Sequence, residues 1–146
     1  MKASSLKFKI TVDFSSTLKQ MITAGRYDWK NTQITSRRFP IVGTGKQTSV
    51  VKLVHFNRPI NSGDNVKVKL EALGLKASTI EELLAFGIAF SDYQCRFPVV
   101  ALGSIVKLNG LHFVAYLSYL DLHRKIDLQL YDKSWGGQCR FLTSPK

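Results

Sequence analysis

The chain has 146 residues, is 45% hydrophobic and 21% charged, and carries a formal net charge of +11. That length suits one domain that buries roughly 70% of its unfolded surface, so neither disulfides nor a structural metal is needed for folding. The composition excludes disorder, no run of about 18 apolar residues is present to span a membrane, and no continuous apolar stretch reads as a secretory signal.

The first predicted element is "LKFKITVDF", residues 6–14. Leu6, Phe8, Ile10, Val12 and Phe14 fall on one side, and Lys7, Lys9, Thr11 and Asp13 on the other. This period of two predicts a strand with one buried and one wet face. "SSTLKQMITAG" then predicts a short helix, with Ser15 or Ser16 as N-cap, Leu18, Met21 and Ile22 at helical spacing, and Gly25 as its stop. Residues 25–46 show no sustained period. "SVVKLVHF" from Ser49 reads as a second strand ended by Arg58-Pro59.

"NSGDNVKVKLEALG" carries two patterns. Val66, Leu70 and Leu73 sit at helical spacing between Asn61 or Ser62 and Gly74, whereas Val66 and Val68 alternating with Lys67 and Lys69 suit a strand. The helix is preferred. "STIEELLAFGIAF" is a helix with a capping box, Ser78 with Glu81 or Thr79 with Glu82, and Leu83, Leu84, Phe86 and Ile88 on its buried side. From Pro98 onward "VVALGSIV", "LHFVAYLSY" and "KIDLQLY" are strands, with a hairpin at Asn109-Gly110, and "QCRFLT" returns as the last strand. Ile126, Leu128 and Leu130 alternate with Asp127, Gln129 and Tyr131, again a one-sided strand with the second set facing solvent. The expectation is a single α+β domain over 1–146, with an antiparallel or mixed sheet, two or three helices on one face and a C-terminal meander.

Charge is distributed unevenly. Residues 1–60 hold eleven Lys and Arg against only Asp13 and Asp28, whereas residues 61–146 hold ten against eight. Such asymmetry points to a polyanion or an acidic protein surface as partner, against the plainer role of a basic skin that keeps the protein in solution. The stretch "GRYDWKNTQITSRRFPIVGTGK" concentrates the effect. Arg26, Lys30, Arg37, Arg38 and Lys46 can neutralise phosphates, and Tyr27, Trp29 or Phe39 can stack on unpaired bases, a combination that suits single-stranded nucleic acid. Lys52 and Arg58, with Lys7 and Lys9, extend the patch if the first two strands are neighbours. The nucleic-acid-binding candidates are therefore Arg26, Trp29, Lys30, Arg37, Arg38, Lys46, Lys52 and Arg58. The competing expectation is that Tyr27 and Trp29, directly after a helix stop, pack to fix the chain's exit.

Catalytic patterns are weak. The tetrapeptide QCRF occurs at 94–97 and 138–141 and holds both cysteines. Cys95 and Cys139 are read as structural, with a redox pair or half a metal site open only if the segments adjoin, and no CxxC or HxxxH spacing completes a ligand set. His55 and His112 fall in predicted strands and His123 near a turn, with Asp121 and His123 the best remaining polar cluster. "GTGKQT" lacks the first glycine and the hydroxyl of a phosphate-binding loop, because Pro40 and Gln47 stand there, so its glycines are read as a turn into the next strand. No catalytic residue, metal or cofactor is expected, and two cysteines suit a reducing compartment such as the cytoplasm.

The order "GRYDWKN…IT…FP", "VHFNRPI", "ASTIEELLAFG…FPVVALGS" and "LDL…W…CRF" resembles a family of short uncharacterised bacterial proteins, over roughly residues 20–142. The resemblance implies a bacterial cytoplasmic protein of the kind carried on mobile or accessory DNA, and it places Tyr27, Asp28 and Trp29 in a shared framework. It carries no catalytic residue over. The functional expectation is a small non-enzymatic binding module that contacts nucleic acid through a basic N-terminal face. The alternative is a protein–protein interaction module, a homodimer among its forms, with Tyr116, Tyr119, Tyr131 and Trp135 as anchors.

Overall fold

A computed structural model describes residues 4–146. Its first half comprises β1 (Ser4–Asp13), α1 (Leu18–Ala24), β2 (Trp29–Lys30), β3 (Lys46–His55), β4 (Ile60–Asn61), α2 (Gly63–Ala72) and β5 (Leu75–Ala77). The second half comprises α3 (Ile80–Ala89), a 3-10 turn at Tyr93–Cys95, then β6 (Val99–Leu108), β7 (Leu111–Leu120), β8 (His123–Leu130), β9 (Ser134–Trp135) and β10 (Arg140–Pro145). Among the described residues, eight strands form one mixed sheet in the order β1-β3-β10-β6-β7-β8-β2, with β5 also paired to β10, and β4 with β9 makes a separate two-stranded ribbon. No helix among these residues is long and apolar enough to cross a membrane.

The helices explain themselves locally. α1 begins at Thr17 rather than at Ser15 or Ser16: the Thr17 hydroxyl accepts from Gln20 N while Gln20 Oε1 accepts from Thr17 N. Ser15 is already engaged, since its amide and hydroxyl both donate to Asp13. Thr79 and Glu82 form the capping box of α3. Ile88, expected on the buried side, is 45% exposed, because α3 meets the sheet through Leu83, Leu84 and Phe86. The segment with two competing patterns is helical, capped by Ser62 and stopped just before Gly74, whose φ of +76° suits a residue without Cβ.

Two cores lie on opposite faces of the sheet. On one face α1 and α3 pack against Ile10, Val12, Leu53, Val99, Leu117 and Ile126. On the other, α2 covers Val54, Val100, Val114 and Phe141, joined by Trp135 and Tyr131. The last strand shows why: Phe141 points to the α2 core and Leu142 to the α3 core, so β10 is buried on both faces. "QCRFLT" does return to the sheet, but into its centre, antiparallel to β3 and parallel to β6. Tyr131, read as solvent-facing from its alternation, is buried with its hydroxyl donating to Asp64 at 2.7 Å. Tyr131 and Trp135 are core side chains and cannot anchor a partner; Tyr116 is half-buried and Tyr119 exposed.

β1 pairs with β3 without a break, from Ser4 opposite His55 to Asp13 opposite Lys46. Asn109 and Gly110, at φ +52° and +80°, make the tight β6–β7 turn that their dipeptide predicts.

Candidate nucleic-acid interface

Residues 25–46 leave α1 and cross from one edge of the sheet to the other, because β2 lies beside β8 while β3 lies beside β1. The crossing is anchored rather than loose. Tyr27 is held in a slot that exists because residues 25 and 87 are glycines: a Cβ on either would collide with the Tyr27 ring or hydroxyl. The Arg124 guanidinium lies 4.9 Å from that ring, and burial pushes the Tyr27 phenol up to about 12 although Arg124 opposes the shift. Arg124 also donates to Gly25 O at 2.7 Å, Gln94 Oε1 at 2.9 Å, Ser91 O at 3.0 Å and Arg26 O at 3.2 Å.

The next residues are zipped onto β8. Asp28 N donates to Arg124 O, Arg124 N donates back to Asp28 Oδ2 at 2.7 Å, and Asn31 N donates to Ile126 O. Asn31 Nδ2 donates to Asp127 at 2.9 Å. Tyr27 and Asp28 are framework residues, whereas Trp29 keeps 44% of its surface exposed, with Lys125 Nζ 5.4 Å from its ring. Farther on, Ile34 and Phe39 plug into the α3 core, and Val42 N donates to the buried Glu81 carboxylate at 3.0 Å. Between the plugs a tight turn closes through Phe39 N to Thr35 O at 2.8 Å, leaving Arg37 and Arg38 exposed at its tip.

This turn stands between two clefts. One, of about 550 Å³, opens toward the β6–β7 hairpin; Arg38, Lys107, Gln33 and Asn109 are on its rim, and Leu108, Phe113 and Leu128 form its floor. The other, of about 300 Å³, opens toward α1 and brings Lys19 and Lys30 beside Leu18, Ile22 and Ile34. Asn31 lines both, and no carboxylate lines either. Lys19 and Lys107 come from remote parts of the chain, and only the crossing segment, passing between α1 and the hairpin, gathers them.

The eight sequence candidates do not form one patch. Lys30, Arg37 and Arg38 belong to the two-cleft cluster. Lys46 is in β3 opposite Asp13, whose carboxyl is held low by its Ser15 hydrogen bonds first and by Lys46 to a lesser degree. Lys52 faces Lys7 across the β1–β3 pair, which confirms that those strands are neighbours, but four strands separate β3 from β2. Arg58 lies with Lys69 in a shallow depression beside β4 and α2. Arg26 is exposed at φ +54°, its carbonyl turned to Arg124.

The positive charge is nevertheless not neutralised internally. Among the described residues only Lys146 has a carboxylate within 4 Å, Glu71 at 2.7 Å, apart from a histidine contact of 4.0 Å between His123 and Asp28. The acids are committed elsewhere: Asp13, Asp28, Glu81, Glu82 and Asp127 accept from backbone amides, and Asp64 accepts from Tyr131. The two QCRF segments do meet, through the Arg140 guanidinium 3.6 Å from the Phe97 ring and pairing of Arg140 with Val99. Their cysteines are both free; Cys95 is exposed, and burial raises the Cys139 thiol. His55 Nε2 lies within hydrogen-bond distance of Gly137 O, at 2.9 Å. "GTGK" turns into β3 through Gly43 and Gly45, both at positive φ.

No family model, curated protein or solved structure matches this chain.

Proposed function

We propose that this protein is a non-enzymatic module that binds single-stranded nucleic acid at the crossing segment, with Lys19, Lys30, Arg37, Arg38 and Lys107 contacting phosphates. The observation that carries the reading is the pair of adjoining clefts that gather four of these cations with no carboxylate in either lining. The larger cleft supplies what a backbone tracker alone lacks. Its half-buried Phe113 and aliphatic floor offer a face for an unstacked base, and Gln33 and Asn109 offer amide groups to base edges. A duplex keeps its bases stacked and cannot use such a recess, so the unpaired strand is the fitting partner.

Five phosphate contacts on a single strand correspond to a log–log salt slope of about −3.5, or ~100-fold weaker binding between about 50 and 200 mM salt. Anisotropy of a labelled oligothymidine of about 20 nucleotides measures this directly. Arg37→Glu with Arg38→Glu should reduce the slope to about −2 and weaken binding at every salt concentration. Affinity indifferent both to salt and to these two changes would sink the reading.

A further inference from the structure

The opposite edge of the sheet carries a second set of features that the crossing segment does not use. β1 is a ten-residue edge strand, paired to β3 throughout, and among the described residues no backbone hydrogen bond joins residues 4–12 to anything on its outer side. On one face of this edge Lys7 stands directly opposite Lys52, with Lys9 two residues along and Val50, 46% exposed, opposite Lys9. Directly opposed like charges repel, and none of the three lysines has a carboxylate within 4 Å to relieve it. On the other face, Leu6 and Leu53 open a pocket of about 300 Å³ with Tyr93, Phe97 and Arg140. Leu6 itself is 54% exposed at the mouth.

A strand added to β1 would send alternate side chains to these two faces. One set would meet lysines and the other, near the start of β1, a pocket walled by Leu6, Leu53, Tyr93 and Phe97 with His55 and Arg140 also in its lining. We propose that the outer edge of β1 docks an extended peptide segment of alternating acidic and apolar residues from a partner protein. Carboxylates two residues apart would lie across from Lys7 and Lys9 and relieve the Lys7–Lys52 repulsion, and an apolar side chain would enter the pocket beside Leu6. A second copy of this chain complements the edge less well: symmetric antiparallel pairing centred on Phe8 sets Lys7 against Lys9 twice, and pairing centred on Ile10 gives Lys7 an Asp13 partner but leaves Lys9 opposite Thr11. This proposal does not rest on nucleic-acid binding, which uses the far side of the sheet.

The test titrates the full chain with a labelled eight-residue peptide of alternating glutamate and valine and with its lysine–valine counterpart, mapping the complex by amide hydrogen exchange. The acidic peptide should bind preferentially and slow exchange in β1. Lys7→Glu with Lys9→Glu should weaken it about tenfold or more and reverse the preference between the two peptides, leaving oligothymidine affinity within about twofold. The neutral pair Lys7→Gln and Lys9→Gln, which adds no repulsion to the edge, should give an intermediate loss. Equal binding of both peptides, no binding at millimolar concentration, or protection confined to other strands would overturn the proposal. So would a dimer formed through β1, or charge reversal that costs oligothymidine affinity instead of peptide affinity.

Discussion

Replacing Arg124 with methionine removes the side chain that ties β8 to the chain leaving α1 while keeping an unbranched apolar stem. Three of its hydrogen bonds are 3.0 Å or shorter and partly shielded, to Gly25 O, Gln94 Oε1 and Ser91 O. Bonds to a charged donor contribute about 1.5 kcal/mol or more each, and stacking over Tyr27 adds about 0.5–1 kcal/mol. Arg124 is only half-buried, so water recovers part of this, and the net loss should be ~3 kcal/mol. An unfolding entropy near 0.3 kcal/mol/K for a chain of this length converts that into a fall in Tm of ~10 °C. Thermal and urea unfolding followed by circular dichroism read it out, and Arg124→Lys should recover only a minor part, since an ammonium cannot reach five separated acceptors, Gly87 O among them, at once. Arg124→Met should also weaken oligothymidine binding, because Lys30 and Asn31 depend on the same docking. A fall in Tm under about 3 °C would refute the reasoning that Tyr27 and Asp28 are held by this hub.

Other outcomes follow from the same packing. Tyr27 Oη is buried without a partner, so Tyr27→Phe should leave stability unchanged or raise it by up to ~1 kcal/mol, measured by urea unfolding. Burial raises the phenols of Tyr27, to about 12, and of Tyr131, where the bond to Asp64 adds to the effect, so ultraviolet titration should find both protonated after the exposed tyrosines ionise. The folded state then binds more protons than the unfolded one above pH 10, and stability should fall as pH rises from there through 12, less steeply in Tyr27→Phe. Gly87→Ala places a methyl against the Tyr27 hydroxyl and should cost ~2 kcal/mol, an effect that Tyr27→Leu in the same chain should reduce. Thr79→Ala removes one arm of the α3 capping box and should cost ~1 kcal/mol in the same assay.

Part of the proposed site was legible in the sequence. The charge run at Lys30, Arg37 and Arg38 stands out in the linear chain, and so does the alternation that puts Lys7 and Lys9 on one face. Lys19 and Lys107 were missed because nothing near them in sequence marks them: one is an ordinary helix lysine, and the other precedes a hairpin turn. Arg124 gave no signal either, since its five acceptors come from Gly25, Arg26, Gly87, Ser91 and Gln94, all at least thirty residues away. Tyr131 failed for a related reason. The period of two correctly placed it on the face opposite Ile126, but α2 covers that face at its end of β8.

The sequence by itself determined the class of fold, the three helices, the two-faced first strand and the Asn109-Gly110 hairpin. Each of these is decided by side chains within one or two turns or strand repeats of one another, where periodicity and capping act directly. Only the tertiary structure decided that the last strand enters the middle of the sheet, that β1 and β2 occupy opposite edges, and therefore that the N-terminal cations divide into separate groups. Strand order depends on which distant faces bury best against each other, and two sequences with the same local patterns can satisfy that in different orders. The same long-range choices committed Asp28 and Glu81 to distant amides and Asp64 to the Tyr131 phenol, whereas Asp13, Glu82 and Asp127 accept from amides close to them in sequence.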